Sequence, residues 1–348
     1  MEQFLIERLQ NFTLDRKILS IDTNDRDKSR WPNANEFEVS LPQTYTNVES
    51  IRLLNIQTPS KLYNISEHLQ NNKMIVQNGS EKVLITLDDG YYSNTQICIT
   101  IQNKVRLGFG SAWTPDNIFN VDFNNVSEKP YFTSATKDFS FIFFDASLSY
   151  TTSSNSLCHN NVYEQHSNWG LGHTLGFDNK QWVESHAVSD SSDSDIFFYY
   201  NSRSLVPTSA TGAIVPPKQA ELNQNQFIYL EIDKYNTSDE IKPFINDRLN
   251  NTNAGLVNSY FAKIPIRYKN YRPDGNSISQ SLSCKDDFID SLSYYQPPIE
   301  KISKLKIKFR YHNGLPVDLA NSNISLTLEI NQIRNEMKNY NVRTPFKF

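Results

Sequence analysis

The alternation of apolar and polar residues predicts an antiparallel β protein organised around residues 19–59. A short apolar run at 18–21 precedes a charged turn, and residues 37–41 alternate in the manner of a strand with one buried face. Pro42 is expected to end that strand, because proline cannot donate to a β ladder. A second run at 48–56 then predicts another strand. The stretch therefore indicates strand, charged turn, strand, short connection and strand.

Similar short runs predict the remaining strands at 74–77, 83–87, 118–123, 139–144, 196–200, 227–232, 260–266, 302–311 and 322–330. One helix is expected between Ser93 and Leu107, since Ser93 is a suitable N-cap and Ile97, Ile101 and Val105 recur at spacing four. The β-branched residues of this segment favour a strand instead, so that alternative stays open. The pattern as a whole indicates an all-β antiparallel sandwich with long insertions and one short helix.

The flanks and the middle of the chain differ from this pattern. Residues 1–18 place apolar side chains at roughly helical spacing, which indicates an amphipathic N-terminal arm, and residues 333–348 are interpreted as a C-terminal arm. Residues 147–225, rich in Ser, Asn, Asp and Thr, read as an insertion into a domain that spans 19–332. Two small sandwiches divided across 147–225 remain an alternative to one enlarged domain.

Composition narrows the class of protein further. The 348 residues are 38% hydrophobic and 12% aromatic, which argues against disorder of the whole chain. The net charge of -4 lacks the basic excess of a nucleic-acid binder, so no nucleic-acid partner is predicted. Three widely spaced cysteines (Cys98, Cys158 and Cys284) form no disulfide framework and fit a reducing compartment. The N-terminal sequence does not resemble a signal peptide, and no run of about 18 apolar residues occurs, so a soluble protein is expected.

One cluster has the residue types of a metal site. His159, His166 and His173 lie seven residues apart in the insertion, close to Cys158 and His186. Imidazole and thiolate are usual zinc ligands. The short spacings of known zinc motifs are absent, however, so we expect polar loop histidines, with no metal and no cofactor.

The charged turn offers a second candidate. Asp22, Asp25 and Asp27 resemble the start of a calcium loop, but Arg26 interrupts the series, and the glycine and terminal glutamate of such a loop are missing. We therefore expect a structural turn held by side-chain-to-backbone hydrogen bonds and an ion pair of Arg26. No nucleophile elbow or specific pair of carboxylates occurs, and an enzymatic role such as hydrolysis is not predicted.

Basic residues alternate with apolar ones near the C-terminus. Lys301, Lys304, Lys306, Lys308 and Arg310 would share one face of a strand. The plain interpretation is a solvated face. The alternative is a basic stripe that meets an acidic partner or a membrane surface.

Several short motifs, taken in order, resemble the jelly-roll virion proteins of large icosahedral DNA viruses, namely the minor capsid and penton-type components of nucleocytoplasmic (giant) viruses. The resemblance covers roughly residues 19–331, whereas the two arms and the stretch before Leu175 do not match it. The motifs that carry it are 20–27 (Ser-Ile-Asp-Thr-Asn-Asp-Arg-Asp), 31–37 (Trp-Pro-Asn-Ala-Asn-Glu-Phe), 48–54 (Val-Glu-Ser-Ile-Arg-Leu-Leu), 89–92 (Asp-Gly-Tyr-Tyr), 175–177 (Leu-Gly-Phe), 261–266 (Phe-Ala-Lys-Ile-Pro-Ile), 305–309 (Leu-Lys-Ile-Lys-Phe), 313–314 (Asn-Gly), 318–319 (Asp-Leu) and 326–330 (Leu-Thr-Leu-Glu-Ile).

This resemblance implies a jelly-roll fold and a non-enzymatic structural role in a virion. The expected function is that of a minor capsid component that stabilises the icosahedral shell, with a penton protein at the five-fold vertex, or a jelly-roll module that binds glycans or receptors, as alternatives. The expected partners are the major capsid protein, other minor capsid proteins and further copies of the chain. A membrane contact is left open without being implied. The expected location is the virion, assembled in the host cytoplasm.

Overall fold

The computed structural model describes residues 12–59, 62–110, 113, 119–143, 170–177, 182–188, 210–223, 226–241, 257–266, 282–285, 292–320 and 322–335. The chain divides into two compact units. The first comprises Met1–Ser60, Gln226–Ile241 and Val257–Phe348, and the second comprises Lys61–Asn225 and Lys242–Leu256.

The described residues form seventeen strands, two α-helices and a 3-10 turn at Thr23–Asp25. The helices are α1 (Asn94–Phe109) and the five-residue α2 (Gly170–Thr174). The strands are β1 (Phe12–Asp22), β2 (Glu36–Thr58), β3 (Lys73–Asn78), β4 (Glu81–Thr86), β5 (Phe119–Asn124), β6 (Lys129–Ser134), β7 (Ser140–Ile142), β8 (Trp182–Glu184), β9 (His186–Val188), β10 (Ala210–Ile214), β11 (Phe227–Ile232), β12 (Ser238–Ile241), β13 (Val257–Tyr260), β14 (Ala262–Pro265), β15 (Leu282–Lys285), β16 (Ser293–Arg310) and β17 (Ser325–Asn335).

Every strand pair among the described residues is antiparallel, which confirms the predicted all-β class. The helix count differs from the prediction, because α2 accompanies the expected helix. The predicted strand at 196–200 lies outside the described residues.

The first unit contains a seven-stranded sheet in the order β1-β17-β2-β16-β11-β14, with β15 also paired to β2. Its strands alternate as predicted: along β16, Ile302, Leu305 and Ile307 are buried, whereas Lys304 and Lys306 are exposed. A separate two-stranded sheet joins β12 to β13.

Two boundaries of this sheet differ from the sequence interpretation. β1 begins at Phe12 and pairs with β17 as far as Asn335, so residues 12–18 are strand where the apolar spacing indicated a helical arm. β2 also continues through Pro42. Opposite this proline the ladder to β16 shifts register between Ile302 and Lys304, which leaves room for a residue without an N–H group.

The second unit packs two four-stranded sheets, in the orders β4-β3-β7-β8 and β5-β6-β10-β9, with α1 around one core. The expected helix is confirmed: the Ser93 side chain caps it in a capping box with Gln96, and Ile97, Ile101 and Val105 are buried. The described parts of 147–225 supply α2 and strands β8, β9 and β10, so these parts belong to the framework of the unit.

Aromatic rings fill much of this core. Phe109 stacks on Trp113 with ring centroids 4.7 Å apart, and Phe132 meets Phe141 edge to face at 4.8 Å. In the described residues, no helix combines the length and apolar character that crossing a membrane requires.

Candidate functional site

The charged turn between β1 and β2 is held by its own side chains. The Asp22 carboxylate accepts a hydrogen bond from the Asn24 N–H at 2.8 Å, and the Asp27 carboxylate accepts from the Ser29 N–H at 3.0 Å and from its hydroxyl. The hydrogen bond from the Ser29 hydroxyl is the largest cause that holds the pKa of Asp27 below its ordinary value, and the bond from the Ser29 N–H is the next. The turn is thereby fixed through side-chain-to-backbone contacts.

Arg26 is the centre of this turn. Its guanidinium donates to the carbonyl oxygens of Thr23 (2.7 Å), Trp31 (2.9 Å) and Pro32 (2.6 Å), and to Asn323 Oδ1 (3.2 Å). No carboxylate forms the expected ion pair with Arg26 within the described residues, so its charge is satisfied by carbonyl oxygens. Arg26 thus ties both ends of the turn to the segment that precedes β17.

The backbone of the turn is also anchored to that segment. The Thr23 N–H donates to the Ile324 carbonyl at 2.9 Å, and the Ile324 N–H donates to the Thr23 hydroxyl at 2.8 Å. No group of three or more His, Cys, Asp or Glu side chains in the described ranges could hold a metal ion. The geometry is that of a structural turn with exposed carboxylates.

The histidine cluster is described only in part. His173 lies in α2 and His186 in β9, whereas His159, His166 and Cys158 fall outside the described residues. The structure therefore does not test this cluster, and the absence of a metal at His159, His166 and His173 stays a prediction.

The basic stripe on β16 meets carboxylates of neighbouring strands. Lys304 Nζ lies 3.0 Å from Glu38 Oε1, and Lys306 Nζ lies 2.7 Å from Glu36 Oε1. The hydrogen bond from Lys304 lowers the pKa of Glu38, and that to Glu36 raises the pKa of Lys306. At both lysines the positive charge is therefore matched within the same sheet face.

Arg310 ends the stripe and behaves differently, because its side chain is 1% exposed. It forms ion pairs with Glu231 of β11 and Glu240 of β12, and its Cζ atom lies 4.9 Å from the centroid of the Tyr229 ring. Burial is the largest cause that raises the pKa of Tyr229, and its hydrogen bond with Glu240 is the second. We call Arg310, Glu231, Glu240 and Tyr229 the arginine cluster.

The arginine cluster fastens β12 and β13 to the main sheet of the first unit. Tyr260 of β13 contacts Tyr229 edge to face at 5.1 Å, and His312 Nδ1 lies 3.5 Å from Glu240 Oε2. Sequence reasoning missed this cluster, since the alternation places Arg310 on the solvated face. The burial of Arg310 depends on its ion pair with Glu240, which lies 70 residues earlier in the chain.

Other motifs of the virion-protein resemblance also occupy framework positions. The Gly90 N–H donates to the Ile65 carbonyl at 2.9 Å, and Asp89 accepts from the Glu67 N–H at 2.8 Å. Gly176 has φ +91°, and a Cβ atom there would stand 2.3 Å from the Lys218 carbonyl oxygen. Only glycine suits that position, because both the backbone angle and the close approach exclude a side chain.

The chain matches one family model and several solved structures, two of which are described here. Residues 5–116, less than half of the chain, match a family of unknown function (DUF5901). No curated protein matches the chain. The crystal structure of the mavirus penton protein is 10% identical with a TM-score of 0.42, and the match covers 92% of this chain and 100% of that one. A chain of the cryo-EM structure of the Sputnik virophage is 10% identical with a TM-score of 0.37, over 94% of this chain and 99% of that one.

Proposed function

We propose that the chain is a structural protein of a viral capsid, a minor capsid component that stabilises the icosahedral shell of a large DNA virus. The observation that carries the proposal is the placement of the motifs that carry the virion-protein resemblance. The turn at 22–27, Asp89-Gly90 and Leu175-Gly176-Phe177 all lie at positions that hold strands or loops in place. Residues in such framework positions support a protein that acts through its shape.

The charge arrangement supports the same role. Three lysines of β16 form ion pairs, Lys304 with Glu38, Lys306 with Glu36 and Lys308 with Glu231. Arg16 of β1 is paired with Glu329 of β17 at 2.7 Å. Such pairs place charges of both signs on the sheet, whereas a nucleic-acid surface carries a basic excess. A face of this kind suits contact with other proteins.

On this proposal the partners are the major capsid protein, other minor capsid proteins and copies of the chain itself. The protein would be incorporated in the virion after assembly in the host cytoplasm. Binding would depend on complementary surfaces, without a cofactor and without catalysis.

The test is to find the chain in purified particles of the virus that encodes it. Quantitative mass spectrometry would give its ratio to the major capsid protein, and a particle reconstruction would give its position. We expect a fixed ratio and symmetry-related copies beneath the facets. Copies at the five-fold vertices would instead identify a penton protein.

Washing separates the proposal from a receptor-binding role. A shell component should remain in the particle through mild salt washes and incubation with free glycans. Release of the chain by glycan competition, with the shell otherwise intact, would overturn the proposal in favour of a glycan-binding module.

A further inference from the structure

The strand β1 forms one edge of the seven-stranded sheet. In the part of the chain that the structure describes, β1 pairs with β17 alone, so the backbone groups on its outer side have no strand partner. Two of its apolar side chains are also exposed, Leu14 at 52% and Ile18 at 62%. An open edge of this length is a template for pairing with a further strand.

The sequence of β1 is complementary to itself when reversed. Leu14, Asp15, Arg16, Lys17 and Ile18 read apolar, acidic, basic, basic, apolar. If two copies of β1 lie antiparallel about a two-fold axis through Arg16, Leu14 of one copy faces Ile18 of the other. The same register places Asp15 opposite Lys17 on both sides of the axis.

Geometry restricts the choice of register. A two-fold axis perpendicular to a sheet keeps each residue on its own face, so the paired residue numbers must sum to an even value. An axis through Asp15 or Lys17 would oppose like charges directly, which destabilises a pair. The axis through Arg16 avoids this at residues 15 and 17. The two Arg16 side chains that then face each other are each paired with their own Glu329.

Lys17 also explains why a second copy is favoured over an unrelated strand. Its side chain points to the same face as the buried Leu19, and a charge placed on that face of an edge strand hinders indiscriminate pairing. Within one copy, Lys17 Nζ lies 3.3 Å from Asp15 Oδ2. In the dimer this lysine would face Asp15 of the second copy as well. The charge that discourages other strands therefore favours this one.

We propose that β1 is a homotypic interface, in which two copies of the chain join edge to edge and form one continuous antiparallel sheet. The inference deepens the proposed function, since it names the surface for contact between copies and rests on that function for its use in the shell. Its test uses the purified full chain without virus. A monomeric chain that still occupies the capsid would overturn this inference alone.

The experiment exploits the charge pairing. Sedimentation velocity over a wide range of concentrations should show dimers of the wild-type chain. Asp15→Lys and Lys17→Asp each create two like-charge contacts, so each variant alone should dimerise about tenfold more weakly or worse. Mixed together, the two variants restore opposite charges at both contacts and should form heterodimers with nearly wild-type affinity.

Two further variants serve as a second test of the interface and as a control outside it. Ile18→Lys should weaken the dimer without altering Asp15 or Arg334, which form an ion pair within one copy. Ile99→Lys, the same change at a 51% exposed site on α1, should leave association unchanged. A monomeric wild-type chain, undiminished association of Ile18→Lys, or failure of the two folded charge variants to associate with each other would overturn the proposal.

Discussion

Arg310 and Glu240 form an ion pair in which both side chains are buried, at 1% and 7% exposure. The pair joins β16 to β12, strands that are distant in sequence and belong to different sheets of the first unit. Because Glu231 is a second carboxylate on the same guanidinium, Arg310 balances two negative charges at once. Removal of this one side chain therefore leaves the buried Glu240 without its guanidinium, while Glu231, 22% exposed, keeps Lys308 at 3.9 Å.

Arg310→Met should destabilise the protein by about 3–5 kcal/mol, the usual cost of leaving a buried charge without its partner. The matched control is Lys304→Met, since Lys304 is 59% exposed and an exposed ion pair such as that with Glu38 contributes little to stability. Urea unfolding followed by circular dichroism gives both values. Equal losses in the two variants would contradict the role assigned to Arg310.

Gly176→Ala should be among the most damaging small substitutions. Alanine at φ +91° is strained, and its Cβ would lie 2.3 Å from the Lys218 carbonyl oxygen. We expect a loss on the order of 4 kcal/mol or failure to fold. Gly79→Ala has a similar backbone strain at φ +57° but meets no atom within 4 Å, so it should lose about 1–2 kcal/mol. Thermal melts of the two variants measure this difference in stability. Equal losses would show that the close contact with the Lys218 carbonyl oxygen is unimportant.

Arg26→Ala removes the donor to three carbonyl oxygens of the charged turn. We expect a loss of about 2 kcal/mol or more, since hydrogen bonds from a charged group are stronger than neutral ones. Arg30→Ala on the same turn removes a cation–π contact with Trp31 at 5.4 Å and should cost about 0.5–1 kcal/mol. Unfolding midpoints and incorporation into particles are the measurements. Wild-type stability of Arg26→Ala would show that the turn folds without it.

Cys98 should resist alkylation in the folded protein. Burial, with a smaller effect of Asp122, raises the pKa of its thiol to about 12, so the reactive thiolate is scarce at neutral pH. The unfolded chain has an ordinary thiol pKa, so this group favours folding below that value and favours it less as pH rises towards the folded pKa. Peptide mapping after iodoacetamide treatment at pH 8 should find residue 98 labelled in urea and protected without it. Fast labelling of the native protein would contradict this.

Local signals in the sequence were sufficient for the helix α1. Ser93 as an N-cap and the buried face of Ile97, Ile101 and Val105 are all encoded within the segment, and the structure has each of them. The alternating strands β11 and β16 follow from equally local patterns.

The features that the sequence did not predict depend on contacts with segments far away in the chain. Residues 12–17 are strand because β17 lies beside them, and Pro42 is tolerated because the ladder of β16 shifts opposite it. Arg310 is buried because Glu240 lies over it, whereas Lys308 in the same alternation stays partly exposed. These outcomes depend on pairing between segments far apart in the chain, which propensity and period do not contain.

The pairing of β1 with β17 also bears on how the protein is made. Thr23 and its hydrogen-bond partner Asn323 are 300 positions apart, so β1 leaves the ribosome long before its neighbour exists. At synthesis rates of about 5–20 residues per second, the wait is roughly 15–60 s. During that time β1 has two open edges, whereas the strands between residues 73 and 214 can find one another first. The much longer β2 waits in the same way, because its partners β15, β16 and β17 all follow residue 281. The nascent chain therefore passes through a period in which β1 and β2 both need protection from aggregation.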